Sequence, residues 1–98
     1  MVIWSAPARA DLRSIHEFIA HDSEHYAKKV AHDIREKTDL LNGLPKAGKK
    51  IPELDNEVVR EISLYSYRII YQINNEDVFV LAVVHKRRDL KVENIKPK

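Results

Sequence analysis

Two β-prone runs separated by one polar turn constrain this chain more than anything else in it. Tyr67-Arg68-Ile69-Ile70-Tyr71-Gln72-Ile73 and Val78-Phe79-Val80-Leu81-Ala82-Val83-Val84 are dense in branched and aromatic residues, and Asn74-Asn75-Glu76-Asp77 lies between them. Such runs form a hairpin. It leads into a cationic stretch, His85-Lys86-Arg87-Arg88-Asp89. A third run, Val58 to Leu64, precedes it across Tyr65-Ser66, so a three-stranded antiparallel meander is expected.

A two-residue turn at Tyr65-Ser66 sets Leu64 opposite Tyr67, Ile62 opposite Ile69 and Arg60 opposite Tyr71. The next turn sets Ile73 against Val78, Tyr71 against Val80 and Ile69 against Ala82. Strict alternation then gives one face Ile62, Leu64, Tyr67, Ile69, Tyr71, Val80, Ala82 and Val84. The other face receives Arg68, Ile70, Gln72, Phe79, Leu81, Val83, His85 and Arg87. An exposed face mixing apolar and cationic side chains reads as a partner site centred on Phe79, Leu81 and Val83. The alternative is a cover formed by the 45–57 loop or the C-terminal tail.

Upstream of the meander the period changes. Val2-Ile3-Trp4 reads as a short strand that joins the sheet at an edge. Ser5 caps a helix with Pro7 in its first turn, and Leu12, Ile15, Phe18 and Ile19 form its apolar stripe to about His21. Asp22 or Ser23 caps a second helix. Tyr26, Ala27, Val30, Ile34, Leu41 and Leu44 trace its buried side, with Thr38 in the series, and Gly43-Leu44-Pro45 ends it. The short link implies an antiparallel helical hairpin, and both stripes need a sheet to lie on. Residues 45–57, with two prolines and a glycine, read as a loop pinned by Ile51 and Leu54. The expected fold is α+β, with an N-terminal strand, a helical hairpin and a meander packed on the helices. One domain spans 1–90, followed by a polar tail at 91–98.

Ninety-eight residues, 44 % of them hydrophobic, suffice for one core. There is no cysteine, hence no disulfide framework or thiolate metal site. No apolar run approaches the roughly 20 residues of a membrane span, and the start lacks a secretory signal, so a cytoplasmic protein is expected. The net charge is only +2, but residues 86–98 hold six Lys/Arg against two Asp/Glu. Lys46, Lys49 and Lys50 form a second cluster. Such patches suit phosphate backbones or an acidic partner. His16, His21, His25 and His32 fall on helices without an HExxH pattern, so neither a metal nor a cofactor is expected.

Several motifs, taken in order, carry a family resemblance. These are Trp4-Ser5 with Pro7 and Ala8, Gly48 followed by Ile51-Pro52-Glu53-Leu54, Arg60-Glu61-Ile62, Tyr67-Arg68-Ile69-Ile70-Tyr71, and His85 with Arg87-Arg88-Asp89. Over residues 2–90 the chain resembles the RelE/ParE superfamily of bacterial type II toxins, and the ParE-like branch more closely. The resemblance implies a cognate antitoxin that wraps the toxin, inhibition of DNA gyrase and replication, and growth arrest when antitoxin is lost. Its other branch cleaves mRNA on the ribosome.

That second chemistry needs a base for the 2′-hydroxyl, cations for the phosphorane and an acid for the leaving oxygen. Arg68 and Arg87 resemble the phosphate-binding arginines of ribonuclease members, and His85 has the proton-transfer chemistry. The catalytic candidates of that alternative, a metal-independent endoribonuclease, are therefore Arg68, His85 and Arg87, which strict alternation gathers on one face. Two departures count against it. No tyrosine follows Arg87, where Leu90, Val92, Glu93 and Ile95 stand, and Arg60 alone represents the lysine pair of the preceding strand. Arg60 falls with the apolar face, where it is expected to snorkel toward a carboxylate. Under the gyrase reading, target or antitoxin contacts are expected at Arg60, Arg68, Phe79, Leu81, Arg87 and Arg88. A third reading is a non-toxic homologue that only binds antitoxin.

Overall fold

Ser5 joins the two halves of the fold. Its Oγ accepts from the Ala8 amide at 3.1 Å, capping the first helix, and donates to the Leu81 carbonyl at 3.3 Å. Its own amide donates to Val80 O at 3.0 Å. The computed structural model describes residues 1–88 and 90. In chain order these form β1 (Val2–Trp4), α1 (Ala6–Ala20), α2 (Glu24–Asp39), β2 (Lys49–Lys50), β3 (Val59–Leu64), β4 (Tyr67–Asn74) and β5 (Asp77–His85). The sheet order is β1-β5-β4-β3-β2, with β1 parallel to β5 at one edge and the other pairs antiparallel. This is the expected α+β arrangement, extended by β2, which the loop reading did not anticipate.

The helices start where their caps dictate. Ser23 Oγ accepts from the Tyr26 amide at 3.1 Å, and α2 carries Glu24 in its first turn and Lys37 in its last, matching its dipole. The buried stripe of α1 is Ala8 and Leu12, with Ile15 and Ile19 packed beside them. Phe18 is 78 % exposed, a correction to the expected stripe. At 100° per residue it sits roughly 90° around the helix from that row. On α2 the row is Ala27, Val30, Ile34 and Thr38, and Tyr26 lies one step outside it. The helix tightens into a 3₁₀ turn at Leu40–Asn42, which keeps Leu41 buried and leaves Leu44 64 % exposed, also contrary to expectation.

The β3–β4 register is as expected: Arg60 faces Tyr71, Ile62 faces Ile69 and Leu64 faces Tyr67. Beyond Val80 the β4–β5 register departs from it. Tyr71 pairs with Val80 but Ile70 pairs with Ala82 and Ile69 with Val83, so Leu81 is an extra residue in β5. A one-residue bulge exchanges the faces of everything that follows it. Val83 therefore lies beneath the helices with Leu12, Ile34 and Ile69, whereas Ala82 and Val84 face outward with Ile70 and Leu81.

The outward face is closed as well. Ile51, Leu54 and Leu90 pack over Val59, Ile70, Leu81, Ala82 and Val84, with Phe79 at the margin. Leu81 is 6 % exposed. The expected open patch of Phe79, Leu81 and Val83 is thus absent, because the 51–54 segment covers two of its members and the bulge turns the third inward.

That segment is anchored by one buried phenol. Tyr71 Oη accepts from the Gly48 amide at 2.9 Å and donates to Pro45 O at 2.7 Å. Burial raises the Tyr71 pKa, partly offset by the Gly48 N–H and the nearby Arg60 charge. A Cβ on Gly48 would stand 2.5 Å from both Glu61 O and Tyr71 Oη, so only glycine fits here. Tyr71→Phe leaves an amide and a carbonyl without their partner and is expected to cost about 1–3 kcal/mol. Gly48→Ala is expected to cost a similar ~1–3 kcal/mol from overpacking. Urea unfolding of the two variants against wild type checks both values.

Candidate functional site

Arg68 stands on the outward face of β4, and its surroundings decide what it does. Its Nη1 and Nη2 donate to Glu53 Oε2 and Oε1 at 2.7 and 2.9 Å, a two-pronged pair. Its Nε donates to Glu61 Oε2 at 2.6 Å, and Nη2 also contacts that oxygen. Glu61 is 5 % exposed, and Lys49 of β2 lies 3.7 Å from its second oxygen. The Glu53 contact is the largest reason that the Arg68 guanidinium is held charged beyond its ordinary range, and the same contact lowers the Glu53 pKa. One cation is therefore enclosed by two carboxylates.

The other end of the hairpin is open. His85 pairs across the ladder with Tyr67 and meets its ring edge-on, with centroids 5.7 Å apart at 83°. Directly opposed residues share a face, so His85 lies on the helix side with Tyr67, across the sheet from Arg68. This corrects the expectation of one common face, and the cause is again the bulge at Leu81. His85 Nδ1 accepts from the Arg87 amide at 3.1 Å, and the Arg88 amide donates to His85 O at 2.9 Å, closing a turn that projects Lys86, Arg87 and Arg88 into solvent. The structure thus unites His85 with the 86–88 turn and leaves Arg68 apart.

Arg60 has a different partner from the one expected. Its Nε and Nη1 donate to the carbonyls of Glu57 and Gly48 at 3.1 and 3.0 Å rather than to a carboxylate. Two members of the lysine cluster are likewise engaged: Lys49 with Glu61 and Lys50 with Asp55. Asp89 and residues 91–98, which include the expected tail, lie outside the described residues. Metal-capable atoms of His32, Asp33 and Glu36 approach within 4.8 Å on α2. Asp33 Oδ2 there already accepts from Lys29 Nζ at 3.0 Å and from the Tyr65 hydroxyl.

Sequence reading missed Glu53 and Glu61 as the partners of Arg68. Glu61 was within reach of it, since alternation puts residues 59, 61 and 63 on the face of Arg68. Glu53 arrives from a loop, and nothing in the local pattern announces its aim.

Comparison with known proteins agrees with this architecture. A solved chain described as the chromosomal ParDE TA system from P. aeruginosa superposes with a TM-score of 0.71, covering 86 % of this chain and 92 % of that one at 21 % identity. At that identity the likeness shows the fold. No curated protein matches the chain. The family model described as ParE toxin of type II toxin-antitoxin system, parDE, matches residues 2–90. The chain belongs to the ParE toxin family, and is a type II toxin of the ParE kind.

The ion-pair cluster is testable. Arg68→Ala leaves Glu61 buried with its principal cation gone and is expected to cost about 3 kcal/mol, read by urea or thermal unfolding. The pH dependence follows from Glu53. Its folded pKa is lowered, so its contribution is fully present above the ordinary carboxyl value of 4.5 and is lost as pH falls through the lowered one. Stability measured from pH 6 downward should therefore decline less steeply in Glu53→Gln than in wild type.

Proposed function

We propose that this toxin acts in the bacterial cytoplasm by inhibiting DNA gyrase, and that a cognate antitoxin neutralises it by binding across its surface. The single observation that carries this reading over RNA cleavage is the enclosure of Arg68. A guanidinium already bonded on three nitrogens to two carboxylates has little left to offer a transition-state phosphate. On this reading Arg68 is a structural strut and His85 orients the 86–88 turn. No described helix is long and apolar enough to cross a membrane, which suits action on a soluble target.

Arg87 and Arg88 are the residues proposed to meet the target. Both are exposed, and neither has a side-chain ion pair among the described residues. The Leu81 surface and Arg60 are not proposed as contacts, being respectively covered and bonded to backbone carbonyls.

Purified toxin is expected to inhibit gyrase supercoiling, with Arg87→Gln/Arg88→Gln needing about tenfold more protein for the same effect (~1.4 kcal/mol). Growth arrest on expression should be reversed by the co-expressed antitoxin. Inactivity against gyrase at micromolar toxin, together with ribosome-dependent mRNA cleavage, would overturn the proposal. A protein that leaves growth unaffected would instead be an antitoxin binder without toxicity.

A further inference from the structure

We propose that the cleft between the outer sides of α1 and α2 binds the phosphate backbone of a nucleic acid. The cleft is open, has a volume of about 750 Å³ and is floored by Trp4, Leu12 and Ala31. Four cations line it: Arg9 and Arg13 from α1, and Lys28 and Arg35 from α2. The helices run antiparallel, as the 3.8 Å approach of His16 to Glu24 requires. Arg9 and Arg13 lie one turn apart, while Lys28 and Arg35 lie two turns, roughly 10 Å, apart. Two rows of positive charge therefore flank the floor at helix-packing distance.

The partners of these cations are the informative part. Lys29, Lys49, Lys50 and Arg68 each meet a carboxylate, whereas none of the four cleft cations does so among the described residues. In the cleft, Arg9 Nη1 donates to the Trp4 carbonyl at 2.7 Å, which satisfies one nitrogen and leaves the charge. The side chains of Arg13, Lys28 and Arg35 make no ion pair or hydrogen bond among the described residues. Glu17 and Asp39 also line the cleft and pair with none of them. Arg9 and Arg13, like charges one turn apart, repel in the free protein, and a polyanion laid between the rows relieves that repulsion.

The floor selects among polyanions. Leu12 is only 5 % exposed and Trp4 is half-buried, so the floor presents no large, fully exposed apolar side chain. An acidic peptide helix would need apolar anchors. Phe18, Leu40 and Leu44, which would supply a seat for them, lie outside the cleft. A sugar–phosphate backbone needs only the cations, and three of the four are arginines, suited to forked phosphate contacts.

The test contains no gyrase, so its outcome is independent of the target proposed above. Trp4 is the chain's single tryptophan and reports on the cleft directly. The full chain is titrated with a labelled DNA duplex of about 20 base pairs and with a single strand of equal length, near 50 mM salt and upward. The expected result is a saturable change in Trp4 emission with at least one of them. The slope of log K against log salt should be about −2 to −3, as three phosphate contacts give. The two nucleic acids show which form is preferred. Arg13→Gln/Lys28→Gln/Arg35→Gln, all at exposed positions, should weaken binding by about tenfold or more and flatten that slope. Circular dichroism checks its fold, and Arg13→Gln and Arg35→Gln singly, each with a partial loss, serve if the triple variant unfolds. Lys46→Gln/Lys86→Gln, outside the cleft, should bind within about twofold of wild type. No emission change with either nucleic acid, wild-type binding by the triple variant, or an equal loss in the Lys46/Lys86 variant would overturn the proposal. So would a Trp4 response to polyglutamate alone.

Discussion

The pairing of β4 with β5 governs the molecule, and its decisive detail is that eight residues face nine. The surplus residue, Leu81, lets two consecutive side chains, Leu81 and Ala82, point outward. From there on the strand presents its odd-numbered residues to the helices. Val83 fills the core between α1 and the sheet, and His85 reaches Tyr67 rather than Arg68. Had β5 kept strict alternation, Val83 would stand outside and His85 would stand beside Arg68. A single inserted residue thus separates two groups whose sequence context suggests one centre.

The outward face shows how a small domain manages a sheet that is apolar on both sides. With only two helices available, the second face is covered by Ile51, Leu54 and Leu90. A loop over a core brings unpaired backbone groups with it. The Tyr71 hydroxyl takes the Gly48 amide and the Pro45 carbonyl, and Arg60 takes the Gly48 and Glu57 carbonyls. Arg68 performs the same service for charge, drawing Glu53 of the covering loop onto Glu61 of the sheet. Enclosed ion pairs of this kind cost desolvation and depend on geometry. Here three charge-assisted hydrogen bonds offset that cost and fix where the loop sits.

Much of this was legible beforehand. The caps Ser5 and Ser23, the edge position of β1, the β3–β4 register and the role of Ile51 all follow from local chemistry and alternation. What escaped depends on longer-range facts. The bulge does not announce itself, because Val80-Leu81-Ala82-Val83-Val84 is apolar throughout and fits either parity. The exposure of Phe18 and Leu44 depends on helical phase to within one residue, and a 3₁₀ turn resets that phase after Asp39. For Arg68, sequence supplies a cation on a strand but not the loop carboxylate that engages it. A resemblance based on Tyr67-Arg68 therefore identifies the family more securely than it assigns a role to the arginine.

The short reach of β1 along β5 has a consequence for solubility. β1 covers β5 only as far as Val80, so residues 81–85 would otherwise present an open strand edge, a template on which another chain can add. Two side chains of the first helix segment occupy that template: Ser5 Oγ donates to the Leu81 carbonyl, and Asp11 Oδ2 accepts from the Val83 amide at 3.0 Å. The desolvation that raises the Asp11 pKa accompanies this contact. The opposite edge is blunted differently, by a two-residue strand made only of lysines. Sheet extension by a stray strand is thereby discouraged at both ends.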